Sequence, residues 1–196
     1  MRLQLITPPA VEPVTLGEVK AHLRVTNDLE DDLLTNLIVT ARQKLDGPRG
    51  LLGRSLITQT WKATLDGFPR LIELPLAPLS SVDAITYLNS VGVETAIPSE
   101  HYTVSGLSDS DLATIQPARG RSWPFIANSP GSVSITFTAG YGNSPLFVPE
   151  PIRTAIKMLV GHLYENREAV TIASGSMHET PLGWQDLIAD YRMRAF

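Results

Sequence analysis

His162 and Glu165 stand three residues apart in a stretch with helical apolar periodicity. That spacing sets an imidazole and a carboxylate on one helix face, where the pair could share a metal ion. Two ligands do not complete a coordination sphere, and His22, His101 and His178 are scattered. Asp109 and Asp111 flank a serine and could hold calcium, but no glycine and no closing glutamate follow at calcium-loop spacing, so a solvated loop is expected. Asp28, Glu30, Asp31 and Asp32 form an acidic cluster better read as a helix N-terminus in water than as a metal site. Gly140-Tyr141-Gly142 follows a strand and lacks the third glycine of a phosphate-cradling loop, so it reads as a turn. Arg119, Arg121 and Trp123 could touch nucleic acid, but two arginines weigh little in a chain of net charge −4, and a tryptophan packing on a core at a strand end is expected. No serine sits in a nucleophile-elbow pattern. The absence of cysteine removes thiolate metal sites, disulfide scaffolds and cysteine nucleophiles together. The reading expects no catalytic residues, no cofactor and no metal.

Positioning elements follow from charge and period. Residues 1–54 carry 14 charges and residues 149–196 carry 11, while the longer stretch 55–148 also carries only 11, so the layout reads helical, then β, then helical. Thr15 and Glu18 form a capping box, with Leu16, Val19 and Leu23 on one face behind it. Leu29, Leu33, Leu37, Ile38, Ala41 and Leu45 give a second helix, closed by Asp46-Gly47-Pro48. Pro149 and Pro151 open a third, whose buried stripe is Ile152, Ala155, Ile156, Leu159, Val160 and Leu163. The three helices are expected to pack through Leu33, Leu37, Ile38, Leu159, Val160 and Leu163.

From Arg54 the period changes to two. Ile57, Gln59, Trp61, Ala63 and Leu65 point one way, and Leu56, Thr58, Thr60, Lys62 and Thr64 the other. Further strands are expected over 71–74, 82–88, 102–104 and 112–115, and Val133, Ile135 and Phe137 alternate with hydroxyl residues in the clearest strand. Short strands at this spacing suggest a small antiparallel sheet or barrel.

After Asn166 the pattern collapses. Residues 168–182 are mostly small and polar, and a short amphipathic helix follows, with Trp184, Leu187, Ile188 and Tyr191 on one stripe. A helix this short is marginal alone. It either folds back on its own domain or docks in a groove of another chain. No apolar run reaches the ~18 residues of a membrane helix. Met-Arg-Leu-Gln-Leu-Ile-Thr-Pro-Pro has no apolar signal core, which points to synthesis in the cytoplasm.

Several segments together resemble the head–tail connector (adaptor) proteins of long-tailed bacteriophages, related prophages and gene-transfer particles. They are Leu5-Ile6-Thr7-Pro8-Pro9, Pro13-Val14-Thr15-Leu16-Gly17-Glu18-Val19-Lys20-Ala21-His22-Leu23-Arg24, and Leu56-Ile57-Thr58-Gln59-Thr60-Trp61. Tyr102, Trp123-Pro124, Ile135-Thr136-Phe137-Thr138-Ala139-Gly140-Tyr141-Gly142, residues 149–155 and Leu163-Tyr164-Glu165-Asn166-Arg167 continue the likeness in order. The stretch 46–53 departs from it, being longer and richer in glycine. The resemblance implies an α+β, mainly α fold. It would be a helical bundle of helices 15–25, 28–46 and 149–166, with a small antiparallel β insertion at 54–142. Residues 1–167 would form the connector domain and 168–196 a C-terminal arm ending in the short helix. It implies a non-enzymatic virion protein of the head–tail neck, assembled in the host cytoplasm. About twelve copies would form a ring below the portal protein, meet a head-closure (stopper) or tail-completion protein, and pass genome DNA through the lumen without specific binding. Trp184, Leu187, Ile188, Tyr191 and Phe196 are then the expected portal contacts. The competing readings are a small DNA-binding or packaging-related module and a metal-dependent enzyme using His162 and Glu165.

Overall fold

The computed structural model describes residues 1–107, 112–167 and 183–193. Thr15 caps the first helix as its spacing predicts: the Glu18 amide donates to Thr15 Oγ1 at 3.2 Å, and the Thr15 amide donates to Glu18 Oε2 at 2.8 Å. This helix, α1, spans Leu16–Leu23, α2 spans Asp31–Leu45, and α3 spans Glu150–Glu165. They share one core with Leu34, Ile38, Ala41 and Leu45 of α2 against Ile152, Ala155, Ile156, Leu159 and Val160 of α3. The face of α2 is rotated from the expected stripe. Leu34 is fully buried, Leu33 and Leu37 are half-buried, and Leu29 is 92% exposed. Leu29 lies outside the helix, with its amide held by Asn27 Oδ1 at 3.1 Å, so helical periodicity does not apply to it.

The β residues build a second core. The strands are β1 (Arg2–Thr7), β2 (Gln59–Leu65), β3 (Ile72–Leu74), β4 (Leu79–Leu88), β5 (Glu94–Ala96), β6 (Tyr102–Ser105), β7 (Ala113–Pro117) and β8 (Val133–Ala139). One antiparallel sheet has the order β1-β2-β8-β4-β5, and a second has β3-β7-β6. Trp61 lies opposite Phe137 and Ala63 opposite Ile135, and Val82 and Ile85 face the same two residues of β8 from the other side. Ile72, Leu74, Ala113 and Ile115 from the smaller sheet close the core.

The expected mainly helical bundle with a β insertion is therefore corrected. Among the described residues, eight strands in two antiparallel sheets accompany four helices, and the strands enclose a core of their own. The reason lies in short elements without a diagnostic period. Strand β1 is almost wholly exposed, and β5 has only three residues, so neither announces itself by alternation. Both gain their order from pairing with neighbours far along the chain.

The glycine-rich stretch 46–53 is the joint between the two cores. It folds back over the end of α2, with Leu51 N donating to Lys44 O at 2.9 Å and Leu52 N to Leu45 O at 3.1 Å. A Cβ on Gly50 would lie 2.4 Å from the Leu45 carbonyl, so only glycine allows this return.

Candidate functional site

The arm begins with the short helix α4 (Trp184–Leu187), followed by a 3-10 turn over Ala189–Tyr191. Ile188 is fully buried in the helical core, and Trp184, Leu187 and Tyr191 pack against that core while keeping part of their surface exposed. Two polar contacts fix the end of the arm to the joint. The buried Arg54 donates through Nε to the Tyr191 carbonyl, and Met193 N donates to Leu52 O at 2.9 Å. Four of the five residues expected to contact a portal thus form one patch on this chain's own helices, and Phe196 lies outside the described residues. Of the two fates open to a marginal helix, the one seen is the fold back.

Beneath the arm, Asp46 ties α2 to the start of the sheet. It is 8% exposed, and its carboxylate accepts from Leu56 N at 2.9 Å, Gln59 Nε2 at 2.8 Å and Arg42 Nη1 at 3.1 Å. Arg42 donates its Nε to Glu12 at 2.7 Å. Gly140-Tyr141-Gly142 crosses the same region. Gly140 N donates to Pro78 O at 2.9 Å, and Thr58 N donates to Gly142 O at 3.0 Å. A Cβ on Gly140 would meet the Ile57 carbonyl at 2.5 Å, so this glycine serves a close backbone crossing.

The acidic cluster at the start of α2 is a clasp. Asp28 and Asp31 hold Lys20 of α1, and Glu30 accepts from Tyr164 Oη and, at 2.7 Å, from Arg167 Nη2 at the end of α3. The Tyr164 and Arg167 hydrogen bonds hold the Glu30 carboxyl below its usual range, and the bonds to Asp28 and Asp31 push Lys20 up. Glu18 sits similarly between helices. Burial pushes its pKa up, but the Thr15 amide and hydroxyl and the Arg153 guanidinium outweigh that and hold it low. Arg153 is itself buried, and donates also to Pro13 O at 3.2 Å and Glu150 Oε2 at 2.6 Å.

No group of three or more metal-ligating side chains occurs among the described residues. His162 and Glu165 are both exposed, and the carbonyl of His162 accepts from Asn166. Asp109 and Asp111 lie outside the described residues. Trp123 stacks on Phe68 at 4.6 Å and donates Nε1 to Pro69 O at 2.9 Å, as its reading as a packing residue requires. Beside it a pocket of 160 Å³ is lined by Tyr87, Ile97, Pro98, His101, Trp123 and Pro124.

The exposed apolar side chains were not legible in the sequence. Phe125 is 95% exposed, and Leu146 and Phe147 are 78% and 64% exposed. The last two ride on a 3-10 turn, Pro145–Phe147, whose cap is Ser144. The prolines at 145 and 149 were a usable signal, since they stiffen the turn that presents these side chains.

Known proteins share this fold. Residues 13–89 match the model of the phage gp6-like head-tail connector protein family. No curated protein matches the chain. Among solved structures, a chain of the neck of the empty gene transfer agent (GTA) particle, computed with C6 symmetry, superposes with a TM-score of 0.80 at 25% identity, covering 100% of this chain and 98% of that one. A chain of the virion of the native GTA particle gives 0.79 at 25% identity with the same coverage. A chain from the neck of the native GTA particle computed with C12 symmetry gives 0.73 at 24% identity.

Proposed function

We propose that this chain, whose residues 13–89 match the phage gp6-like head-tail connector family, works as the adaptor ring of a virion neck. It is a structural connector protein. The observation that carries the reading is the full-length match to a neck component, in which both the helical and the β half superpose. A neck of C6 symmetry places copies around an axis, and a cyclic ring needs a head-to-tail interface between unlike faces of the same chain. We assign about twelve copies to that ring, below a portal protein and above a head-closure or tail-completion protein. Genome DNA passes through it without specific binding. The net charge of −4 per copy supports sliding rather than adhesion, because a ring multiplies it.

The outward edges of Trp184, Leu187 and Tyr191 remain the proposed portal contact, since aromatic side chains held on a rigid support make effective anchors. Ile188 is the floor of the arm on its own helices and is not available to a portal while the arm is seated.

The test is removal of the gene from the producing particle. Filled heads without tails are expected, with tails restored by supplying the chain. Tailed particles of normal yield from the deletion would overturn the reading.

A further inference from the structure

We propose that in the assembled ring the arm, residues 183–193, sits in the groove of the neighbouring copy. The inference rests on the ring reading and concerns which copy each groove belongs to. The groove is built from α3 and the joint at Leu52 and Arg54, and the arm enters it as a separate piece. Between Arg167, which follows the end of α3, and Gly183 the chain has residues 168–182, fifteen in all. Fifteen residues reach up to ~50 Å when extended.

The return to the chain's own groove is much shorter. Helices α2 and α3 run antiparallel, since Glu30 at the start of α2 meets Tyr164 and Arg167 at the end of α3. Leu52, where Met193 is held, is bonded to Leu45 at the end of α2. The arm therefore lies back along α3, whose 16 residues span about 24 Å. The connection is about twice as long as this return demands. A domain of this size is ~40 Å across, so the connection also reaches the next copy in a ring.

The contacts are the same whichever copy supplies the arm. Ile188 fills the same pocket, and Arg54 and Leu52 take the same partners. Exchange thus costs little contact energy, and a neighbour fixed at the ring's spacing raises the local concentration of its arm. Because the exchange runs head to tail, it closes on itself around a cyclic ring with every groove filled. It would lock neighbouring subunits together.

The chain has no cysteine, which makes the test clean. A Cβ built on Gly53 lies 3.4 Å from Met193 Cβ, just under the ~3.5–4.5 Å between bridged cysteines. Two chains of different tagged mass are mixed, one carrying Gly53→Cys and the other Met193→Cys, so that no bridge can form within a chain. The mixture is assembled into rings, oxidised, and separated by size before non-reducing electrophoresis. A bridged heterodimer in the ring fraction and not in the single-copy fraction is the expected result. A chain carrying both substitutions should give a covalent ladder in rings and an intrachain bridge when alone. Gly53 has a φ of +64°, so a strained cysteine there could spoil folding. A benzophenone side chain placed at position 193, with Gly53 intact, gives the same distinction by mass after illumination. Rings that form with only intrachain products overturn the exchange and leave the connector reading standing. A chain that forms no ring at all, alone or on particles, overturns both.

Discussion

Replacing Asp46 with alanine tests whether the joint holds the two cores together. The carboxylate is 8% exposed and satisfies three donors: Arg42, the Leu56 amide and the Gln59 side chain. Removing one partner of a buried ion pair costs ~3–5 kcal/mol. Arg42 keeps its 2.7 Å contact to Glu12, which favours the low end for that component. The Leu56 amide and Gln59 are then left without an acceptor, at about 1–3 kcal/mol for each buried group that water does not reach. A total loss of about 5 kcal/mol is expected, from the low end of each component. At ~2–4 °C per kcal/mol for a chain of this length, the melting temperature should fall by about 10–20 °C. Asp46→Asn retains one acceptor oxygen and should lose about half as much. Urea unfolding followed by far-UV circular dichroism gives the free energy. Fluorescence in a Trp123→Phe, Trp184→Phe background, where Trp61 is the one tryptophan left, reports the joint, because a Cβ on Gly47 would lie 3.9 Å from that ring. An Asp46→Ala protein within ~1 kcal/mol of the parent, at unchanged urea slope, refutes the claim that these bonds clamp the halves.

Leu34→Ala should cost about 2–5 kcal/mol, as Leu34 is fully buried between helices. Leu37→Ala should cost distinctly less, and equal losses in urea titrations would show that the rotated face of α2 is wrongly placed. Ending the chain at residue 182 should lower the melting temperature and raise the exposure of Leu52 and Ile152 to hydrogen exchange, because Ile188 is part of the core. Unchanged thermal unfolding would show that the arm is only loosely seated. Glu18 has its pKa held below the ordinary value, so its stabilisation is complete above the unfolded-state pKa and lost as pH falls through the folded one. Glu18→Gln should therefore destabilise the protein at neutral pH and flatten the acid side of its stability curve, read by thermal melts from pH 7 down to acid. A curve parallel to the parent's would dismiss the Thr15 and Arg153 bonds as its cause.

Local rules in the sequence settled the elements that carry their own signal. Thr15 and Glu18 fix where α1 starts, because a capping box needs residues only three apart. The alternation from Ile57 to Leu65 and from Val133 to Ala139 fixes which faces of β2 and β8 are buried, and Gln59, Trp61 and Ala63 lie inside as that period requires. The stripe of α3 is read correctly in the same way, except for Leu163, which is only half-buried. The likeness to head-tail connector proteins was legible from the order of ordinary segments along most of the chain, with no single residue diagnostic.

Tertiary structure alone decided the rest. Strand β1 has no buried face to reveal it and exists because Arg2 to Leu5 pair with Thr64 to Trp61, some sixty residues away. The β region has a core of its own because β3 and β7 cover the sheet, a layering that no period within either strand encodes. Leu29 fits the apolar spacing of α2 and is nonetheless in water, because Asn27 turns the chain before the helix begins. The acidic residues at that helix start are a clasp and not merely solvated, because α1 and α3 bring Lys20, Tyr164 and Arg167 to them. The arm shows the limit most plainly. Its apolar stripe specified that Ile188 must be covered, but burial is non-directional, and a stripe of four side chains does not say whose surface covers it. Packing supplied the groove, and the length of residues 168–182 leaves that groove open to a neighbour's arm.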